Sequence, residues 1–263
     1  MEITFYKYQA TGNDFVMLDD RDGQLAERLS RETIAHLCHR RFGIGADGLI
    51  LLQSHPTYHF KMQYYNADGG MSSMCGNGGR CLVAFARDLG ILADQYTFEA
   101  IDGLHHARIG GDWIDLQMTT PHGFKKTEDG QYWIDTGSPH YVGFFETEVA
   151  ELAIVEEGKR IRHSQAFAPG GTNVNFVNVL NDNELSVRTY ERGVEDETYS
   201  CGTGVTACAL VHLYQSGRQK GEIKIHTPGG HLRVRLDEQA EVFLSGPAEA
   251  VFTGKITVSA ISD

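Results

Sequence analysis

The chain has 263 residues, long enough for two hydrophobic cores, and carries 23 basic against 35 acidic residues for a net charge of −12. With that balance and no basic run, neither a phosphate backbone nor an anionic membrane surface is an expected partner, so no nucleic acid and no membrane. No apolar stretch approaches the ~20 residues that span a bilayer; the five cysteines include no CxxC pair, and Met1-Glu2-Ile3-Thr4 lacks the regions of a signal peptide, so a reducing cytoplasm is expected.

Ile3 and Phe5 alternate with polar residues up to Thr11-Gly12-Asn13-Asp14, after which Phe15 to Leu18 run apolar, which predicts strand, turn and strand. Ser30 can cap a helix whose apolar face is Ile34, Leu37, Cys38 and the stem of Arg41, ending at Gly43. His36, Cys38 and His39 stand too close together on that helix to converge on one ion, and no second ligand pair matches them, so no metal site is expected. Residues 43–48 spell G-x-G-x-x-G, but they follow a helix and open a strand, Leu49 to Leu52. A dinucleotide fingerprint needs the reverse order, so the match is read as chance.

His59 to Tyr65 alternates, with Phe60, Met62 and Tyr64 on one face, and delivers Asn66-Ala67-Asp68-Gly69. Next comes Met74-Cys75-Gly76-Asn77-Gly78-Gly79-Arg80-Cys81, directly ahead of the apolar run Leu82 to Leu89. A thiol and a glycine-rich turn at a helix start bring unsatisfied amides and the positive end of the helix dipole to one spot, which favours both an anion and a thiolate. Gln95 to Ala100, His105 to Ile109 and Trp113 to Met118 read as strands, and Thr119-Thr120-Pro121 as the crossover between halves.

The second half predicts strands at Tyr132 to Asp135 and Tyr141 to Phe145, a helix near Glu148 to Glu156, and strands at Asn175 to Leu180 and Glu184 to Tyr190. Then the motif returns: Ser200-Cys201-Gly202-Thr203-Gly204 before an apolar run, Ala209 to Tyr214, closed by Gly217. The two thiols are 201 − 75 = 126 residues apart, close to half the chain, which reads as an internal duplication. Strands Glu222 to His226, His231 to Leu236, Glu241 to Leu244 and Val251 to Val258 complete the chain. The run after each cysteine motif is apolar nearly all round, as expected of a helix enclosed by sheet. The fold class is α/β (α+β): two pseudo-symmetric domains, each a curved sheet around a central helix.

Taken with Gly12-Asn13-Asp14-Phe15, Pro139-His140 and Tyr190-Glu191-Arg192-Gly193, these motifs make the chain resemble the diaminopimelate epimerase family, within the cofactor-independent epimerases and racemases, over essentially its whole length. The resemblance implies halves at 1–118 and 119–249, with a C-terminal strand in 250–263 returning to the first, an active site in the cleft between them, a homodimer, and no cofactor. It implies two acid–base cysteines, Cys75 and Cys201, that interconvert LL- and meso-diaminopimelate for lysine and peptidoglycan synthesis. By position, Asn13, Asn66, Asn173, Glu191 and Arg192 match the substrate-binding set. Gly76, Asn77, Gly202 and Thr203 match the amides that hold the reacting carboxylate, and His140 a histidine of the site. Three positions depart from the family's pattern: Gly48 replaces a glutamine, Ser138 replaces an asparagine, and Glu195-Asp196 adds a residue ahead of Cys201. Arg192, Asn66 and Asn173 suit a distal carboxylate and Glu191 an ammonium. The competing readings are a racemase of another amino acid and a non-catalytic ligand-binding relative. Cys38, Cys81 and Cys208 read as core thiols.

Overall fold

The structure, a computed structural model, describes residues 1–72 and 74–258. The chain packs into two compact units, Met1–Leu116 with the stretch from Pro247, and Gln117–Gly246. Of the tail 250–263 read as returning to the first half, residues 259–263 lie outside the described residues.

The first unit opens with β1 (Glu2–Ala10) and β2 (Asn13–Asp19), joined by Thr11 and Gly12 at φ 47° and 85°. A two-residue hairpin of this kind takes positive φ at both positions, and it places Asn13 opposite Ala10 at the start of its strand. From there α1 (Arg31–Cys38) leads to β3 (Gly48–Gln53), β4 (Phe60–Asn66), α2 (Gly76–Asp88), β5 (Tyr96–Ala100), β6 (Gly103–Gly110) and β7 (Trp113–Gln117). The late strand β17 (Glu249–Thr257) pairs antiparallel with β1, Glu2 opposite Thr257.

The second unit contains β8 (His122–Lys126), β9 (Tyr132–Asp135), β10 (Pro139–Phe144), α3 (Ile154–Arg162), β11 (Asn173–Asn181) and β12 (Glu184–Glu191). It continues with β13 (Asp196–Thr198), α4 (Gly202–Gln215), β14 (Gly221–Thr227), β15 (Gly230–Leu236) and β16 (Val242–Pro247).

The repeated motif is matched by a repeated topology. Along β17-β1-β2-β3-β4-β5-β6-β7 the neighbours pair antiparallel, antiparallel, parallel, antiparallel, parallel, antiparallel, antiparallel. Along β8-β9-β10-β11-β12-β14-β15-β16 the sequence of pairings is the same. In each unit the second parallel crossover carries the helix that follows the cysteine motif. Helix α2 is buried without a break from Gly76 to Ala86, and α4 is buried from Gly202 to Leu213 apart from Thr203. A helix covered on every side must be enclosed by its sheet; α2 lies against β1, β2, β3 and β17, and α4 against β9 to β12, β14 and β15. The other helix of each unit packs on a separate core: α1 with Val16, Leu18, Leu49 and Leu51, and α3 with Tyr141, Val174, Phe176 and Tyr190.

The observed elements correct the sequence reading in three places. Helix α1 stops at Cys38, not Gly43, because the chain turns back and the amides of Ile44 and Gly45 donate to Leu37 O and that of Ala46 to Cys38 O. Gly43 passes so close that a Cβ there would lie 1.9 Å from His36 O. The helix expected near Glu148 is a 3-10 turn at Val149–Glu151 followed by α3, whose Glu156 and Glu157 sit in its first turn and Lys159, Arg160 and Arg162 in its last, as the helix dipole favours. Strands β8 and β13 carried no alternation to reveal them; β8 is exposed at every residue.

Candidate active site

In the first unit Cys75 is the N-cap residue of α2, with extended backbone (φ −102°, ψ 131°). The first intrahelical bond runs from Gly79 N to Cys75 O at 2.7 Å, so the amides of Gly76, Asn77 and Gly78 have no acceptor within the helix. The Cys75 thiol donates to Asn13 Oδ1 at 3.6 Å, and Asn77 Nδ2 donates to the same oxygen at 3.3 Å. Asn13 Nδ2 in turn donates to Asp47 Oδ2 at 2.7 Å. Arg40 bridges Asp47 and Asp14, and Lys7 also pairs with Asp14. Burial alone would raise the Asp14 carboxyl, but the hydrogen bonds from Arg40 and Lys7 outweigh it and hold it at about 2.

One turn into α2 stands Arg80, with no exposed surface. Its Nη2 donates to Asn77 Oδ1 at 2.8 Å and to Thr11 Oγ1 at 3.4 Å, and its Nη1 to Gly76 O at 3.4 Å. Its Nε has no hydrogen-bond partner, and among the described residues no carboxylate pairs with it. Burial pulls the guanidinium down to about 10, which leaves it charged at neutral pH.

In the second unit Cys201 occupies the matching N-cap of α4, and Val205 N to Cys201 O is the first helical bond. Its sulfur lies 3.5 Å from Thr203 Oγ1, which is 2.9 Å from His140 Nε2. Asn175 Nδ2 donates to His140 Nδ1 at 3.2 Å and to Tyr141 O at 2.8 Å, while Thr189 Oγ1 donates to Asn175 Oδ1. His140 is wholly buried and burial, with Arg192 adding to it, pulls the ring down to about 3, so it is neutral. With Nδ1 accepting, the proton is on Nε2 and points at Thr203. Both ring nitrogens are thus engaged inside the unit, and His140 reaches Cys201 through Thr203. Gly204 makes this packing possible: a Cβ there would lie 2.4 Å from Asn175 Oδ1.

The remaining expected residues divide into two groups. Asn66 ends β4 and is exposed, and Arg192 is exposed just beyond β12, where its Nη1 donates to Gly170 O at 3.5 Å. Asn173 is buried and its amide is committed: Nδ2 donates to Ser138 Oγ and Pro139 O, and Oδ1 accepts from Arg192 N at 2.8 Å. It positions the Arg192 backbone. Glu191 ends β12 and is half-buried.

The three departures are accounted for locally. A side chain at Gly48 would meet the Tyr64 ring and Tyr65 O, each at 2.6 Å, so Tyr64 takes the room a glutamine would need. Ser138 Oγ holds Asn173 at 2.9 Å. Glu195, at φ 60° in the β12–β13 turn, binds Arg162 and accepts from Tyr190 and Gly193 N, contacts that outweigh its burial and hold its carboxyl at about 2. Cys38, Cys81 and Cys208 are buried, and burial pushes their thiols up, Cys38 to about 12. Reading the sequence alone passed over Asp47, Arg80 and Asn175. Arg80 did leave a signal, a lone cation between a glycine turn and an apolar helix.

Solved structures place the fold first. The chain superposes on a Bacillus anthracis phenazine biosynthesis protein of the PhzF family with a TM-score of 0.75 at 14% identity, covering 98% of this chain and 100% of that one. It superposes on a hydroxyproline epimerase from Agrobacterium vitis with a TM-score of 0.66 at 15% identity, covering 100% and 93%. The fold is the one these proteins share. The family model for diaminopimelate epimerase matches residues 5–120 and 132–251. A diaminopimelate epimerase of Flavobacterium psychrophilum is 48% identical over 252 residues, 94% of this chain and 97% of its own. That of Chlorobaculum tepidum is 41% identical over 256 residues, 94% and 98%. The chain belongs to the diaminopimelate epimerase family.

Proposed function

We propose that the protein interconverts LL- and meso-diaminopimelate with Cys75 and Cys201 as its two acid–base groups and with no pyridoxal cofactor. One thiolate takes the α-hydrogen as a proton: the C–H bond breaks, an S–H bond forms, and the electron pair passes into the neighbouring carboxylate. The opposite thiol gives its proton to the other face of the carbon, so atoms balance and the two sulfurs exchange protonation states. The amides of Gly76 and Asn77, and of Gly202 and Thr203, are the groups that meet the charge growing on that carboxylate, since helix N-termini supply fixed donors at no cost of reorganisation. At the far end of the substrate Arg192 and Asn66 receive the second carboxylate, Glu191 the ammonium, and Asn173 fixes the loop that carries Arg192.

The observation that carries this reading is the repetition of a thiol at the N-cap of an enclosed helix, after the same run of strand pairings, in each unit. The shared pairing order also supports the two halves as copies of one duplicated domain. A cytoplasmic homodimer is the assembly we expect; exposed Val251 and Phe252 on β17 support self-association, and light scattering should return twice the chain mass.

Purified protein with neither pyridoxal phosphate nor metal added should bring either isomer to the same mixture. In D₂O it should place deuterium at the α-carbon of the product. Turnover of a different amino acid in place of diaminopimelate would move the activity to another racemase, and exchange with none would leave a ligand-binding relative.

A further inference from the structure

The residues from Arg192 to Glu195 join β12 to β13, with Glu191 opposite Asp196 and Glu195 N donating to Glu191 O at 2.9 Å. Gly193 stands at φ 95° and Glu195 at φ 60°. Glycine takes the left-handed region freely, but a glutamate there is strained and persists only where its surroundings hold it. Its own side chain does the holding, folded back onto α3. Arg162 Nε donates to Glu195 Oε2 at 2.9 Å, and Arg162 Nη2 lies 2.6 Å from Oε1. The Tyr190 hydroxyl donates to Oε2 at 3.1 Å, Gly193 N donates to Oε1 at 2.9 Å, and His163 Nε2 stands 3.4 Å from Oε2.

Gly158 lets α3 come this close: a Cβ there would lie 2.4 Å from that of Tyr190, and Arg162 follows one turn later on the same face. The Arg162 side chain is 13% exposed, and its Nη1 is buried without a hydrogen bond, against Gly171, where a Cβ would lie 2.4 Å from it. A cation that is largely desolvated and leaves one nitrogen unpaired adds little stability, so what its fork holds explains it better. The fork holds the chain on the far side of Arg192. Arg192 N donates to Asn173 Oδ1 at 2.8 Å and the next amide, Gly193 N, to Glu195. Arg192 Nη1 reaches O of Gly170, the neighbour of the Gly171 that lies against Arg162. Two successive amides are fixed while the guanidinium they carry stays exposed.

We propose that Arg162 and Glu195 are positioning residues for Arg192: their ion pair pins the β12–β13 turn so that the guanidinium meets the distal carboxylate of the substrate already in place. This rests on the reading that gives Arg192 that carboxylate. It adds a specificity device at Glu195-Asp196, where the chain is one residue longer than the family's pattern. An arginine on a pinned turn loses less freedom on binding than one on a loose loop.

The test joins kinetics to hydrogen exchange on the full chain. Glu195→Asn keeps a residue that accepts positive φ but is too short to reach Arg162; Arg162→Met keeps the length and loses the fork. Each should lower kcat/KM for diaminopimelate by about 3- to 10-fold, the effect of having to order one long side chain. On an Arg192→Ala background, where kcat/KM stays measurable even if binding is weak, neither should lower it further, since a residue that acts through Arg192 then has nothing to position. Without substrate, Glu195→Asn should speed deuterium uptake of the peptide covering 192–195 by about tenfold, as expected when an amide loses a charged acceptor, with uptake elsewhere unchanged. An unchanged kcat/KM in Glu195→Asn or Arg162→Met overturns the role given to that residue. A fall as large on the Arg192→Ala background, or unchanged uptake at 192–195, overturns the pinning of Arg192 by the pair. Arg192→Ala with the kcat/KM of the parent strikes the distal-carboxylate reading instead, and exchange still decides whether Glu195 holds the turn.

Discussion

The two half-sites place the same thiol at the same point of the same topology and surround it with opposite chemistry. At the position five residues after each cysteine the first unit has Arg80 and the second Thr206, both fully buried. Both side chains donate to the carbonyl one residue after the cysteine, Arg80 Nη1 to Gly76 O and Thr206 Oγ1 to Gly202 O. One contact brings a buried cation and the other does not. The two units therefore share the placement of the thiol and differ in the polar shell around it. A reaction that inverts a carbon needs two opposed groups in different protonation states at each moment, and thiols in unlike surroundings suit that need.

The largest test asks whether both halves are needed. Cys75→Ala and Cys201→Ala should each cut epimerisation by on the order of 10²–10⁴-fold or more, since loss of either group strands the proton on one face. Cys38→Ala and Cys208→Ala should leave turnover in place. Near-normal interconversion in either of the first pair would make the halves unequal in a way the reading does not allow.

Arg192→Ala asks whether the second half alone holds the distal end of the substrate. It should weaken diaminopimelate binding by about 2–5 kcal/mol, as expected when a carboxylate is left unpaired, with little change in melting temperature because the side chain is exposed. Unchanged affinity by calorimetry would direct attention to a substrate without a second carboxylate.

Packing gives a sharper contrast. The glycine three residues after each cysteine faces different neighbours: a Cβ at Gly204 would come within 2.4 Å of Asn175 Oδ1, whereas one at Gly78 would meet the end of Ile50 at 3.0 Å. Gly204→Ala should cost about 1–3 kcal/mol of stability, the usual penalty for overpacking, and should disturb His140 through Asn175. Gly78→Ala should cost less, because a flexible methyl can move. Equal denaturant midpoints for the two variants would contradict this difference.

The smallest effect separates the halves by acid. Asp14 belongs to the charged scaffold of the first unit, and its carboxyl is held at about 2 against an unfolded value near 4. A lowered folded value means the stabilisation is complete above pH ~4 and disappears as pH falls through 2; after allowance for solvent screening it amounts to about 1 kcal/mol. Asp14→Asn should therefore be less stable than the parent at pH 7, with the gap closing below pH 4. A gap that persists undiminished at pH 2 would assign the loss to packing.

Much of this was legible in the residues. Cysteine, glycine and an apolar run marked both enclosed helices, because a helix start and continuous burial each leave a local signature. The α/β class followed from alternating strands between them. What stayed hidden was set by distance along the chain. Asp47 and Asn13 are 34 positions apart, and Asn175 and His140 35, so no local pattern announces either pair. Strand β8 has five exposed residues and so no buried face to print an alternation. The end of α1 was misread because the loop that caps it, Ile44 to Ala46, does so with backbone amides, which any sequence possesses. Gly48 read as a glycine in place of a glutamine, and the neighbouring Tyr64 ring and Tyr65 O show the space to be filled.

The pairing of β1 with β17 also sets a timetable for biosynthesis. Glu2 finds its partner at Thr257, 257 − 2 = 255 positions later. At roughly 5–20 residues per second a ribosome needs roughly 10–50 s between them. All that time the first strand of the protein has one edge uncovered, while every residue from Gln117 to Gly246 emerges and can complete the second unit. The half that is begun first is finished last. An open strand edge is a template for pairing with another chain, and the nascent first unit carries that edge until β17 has been made.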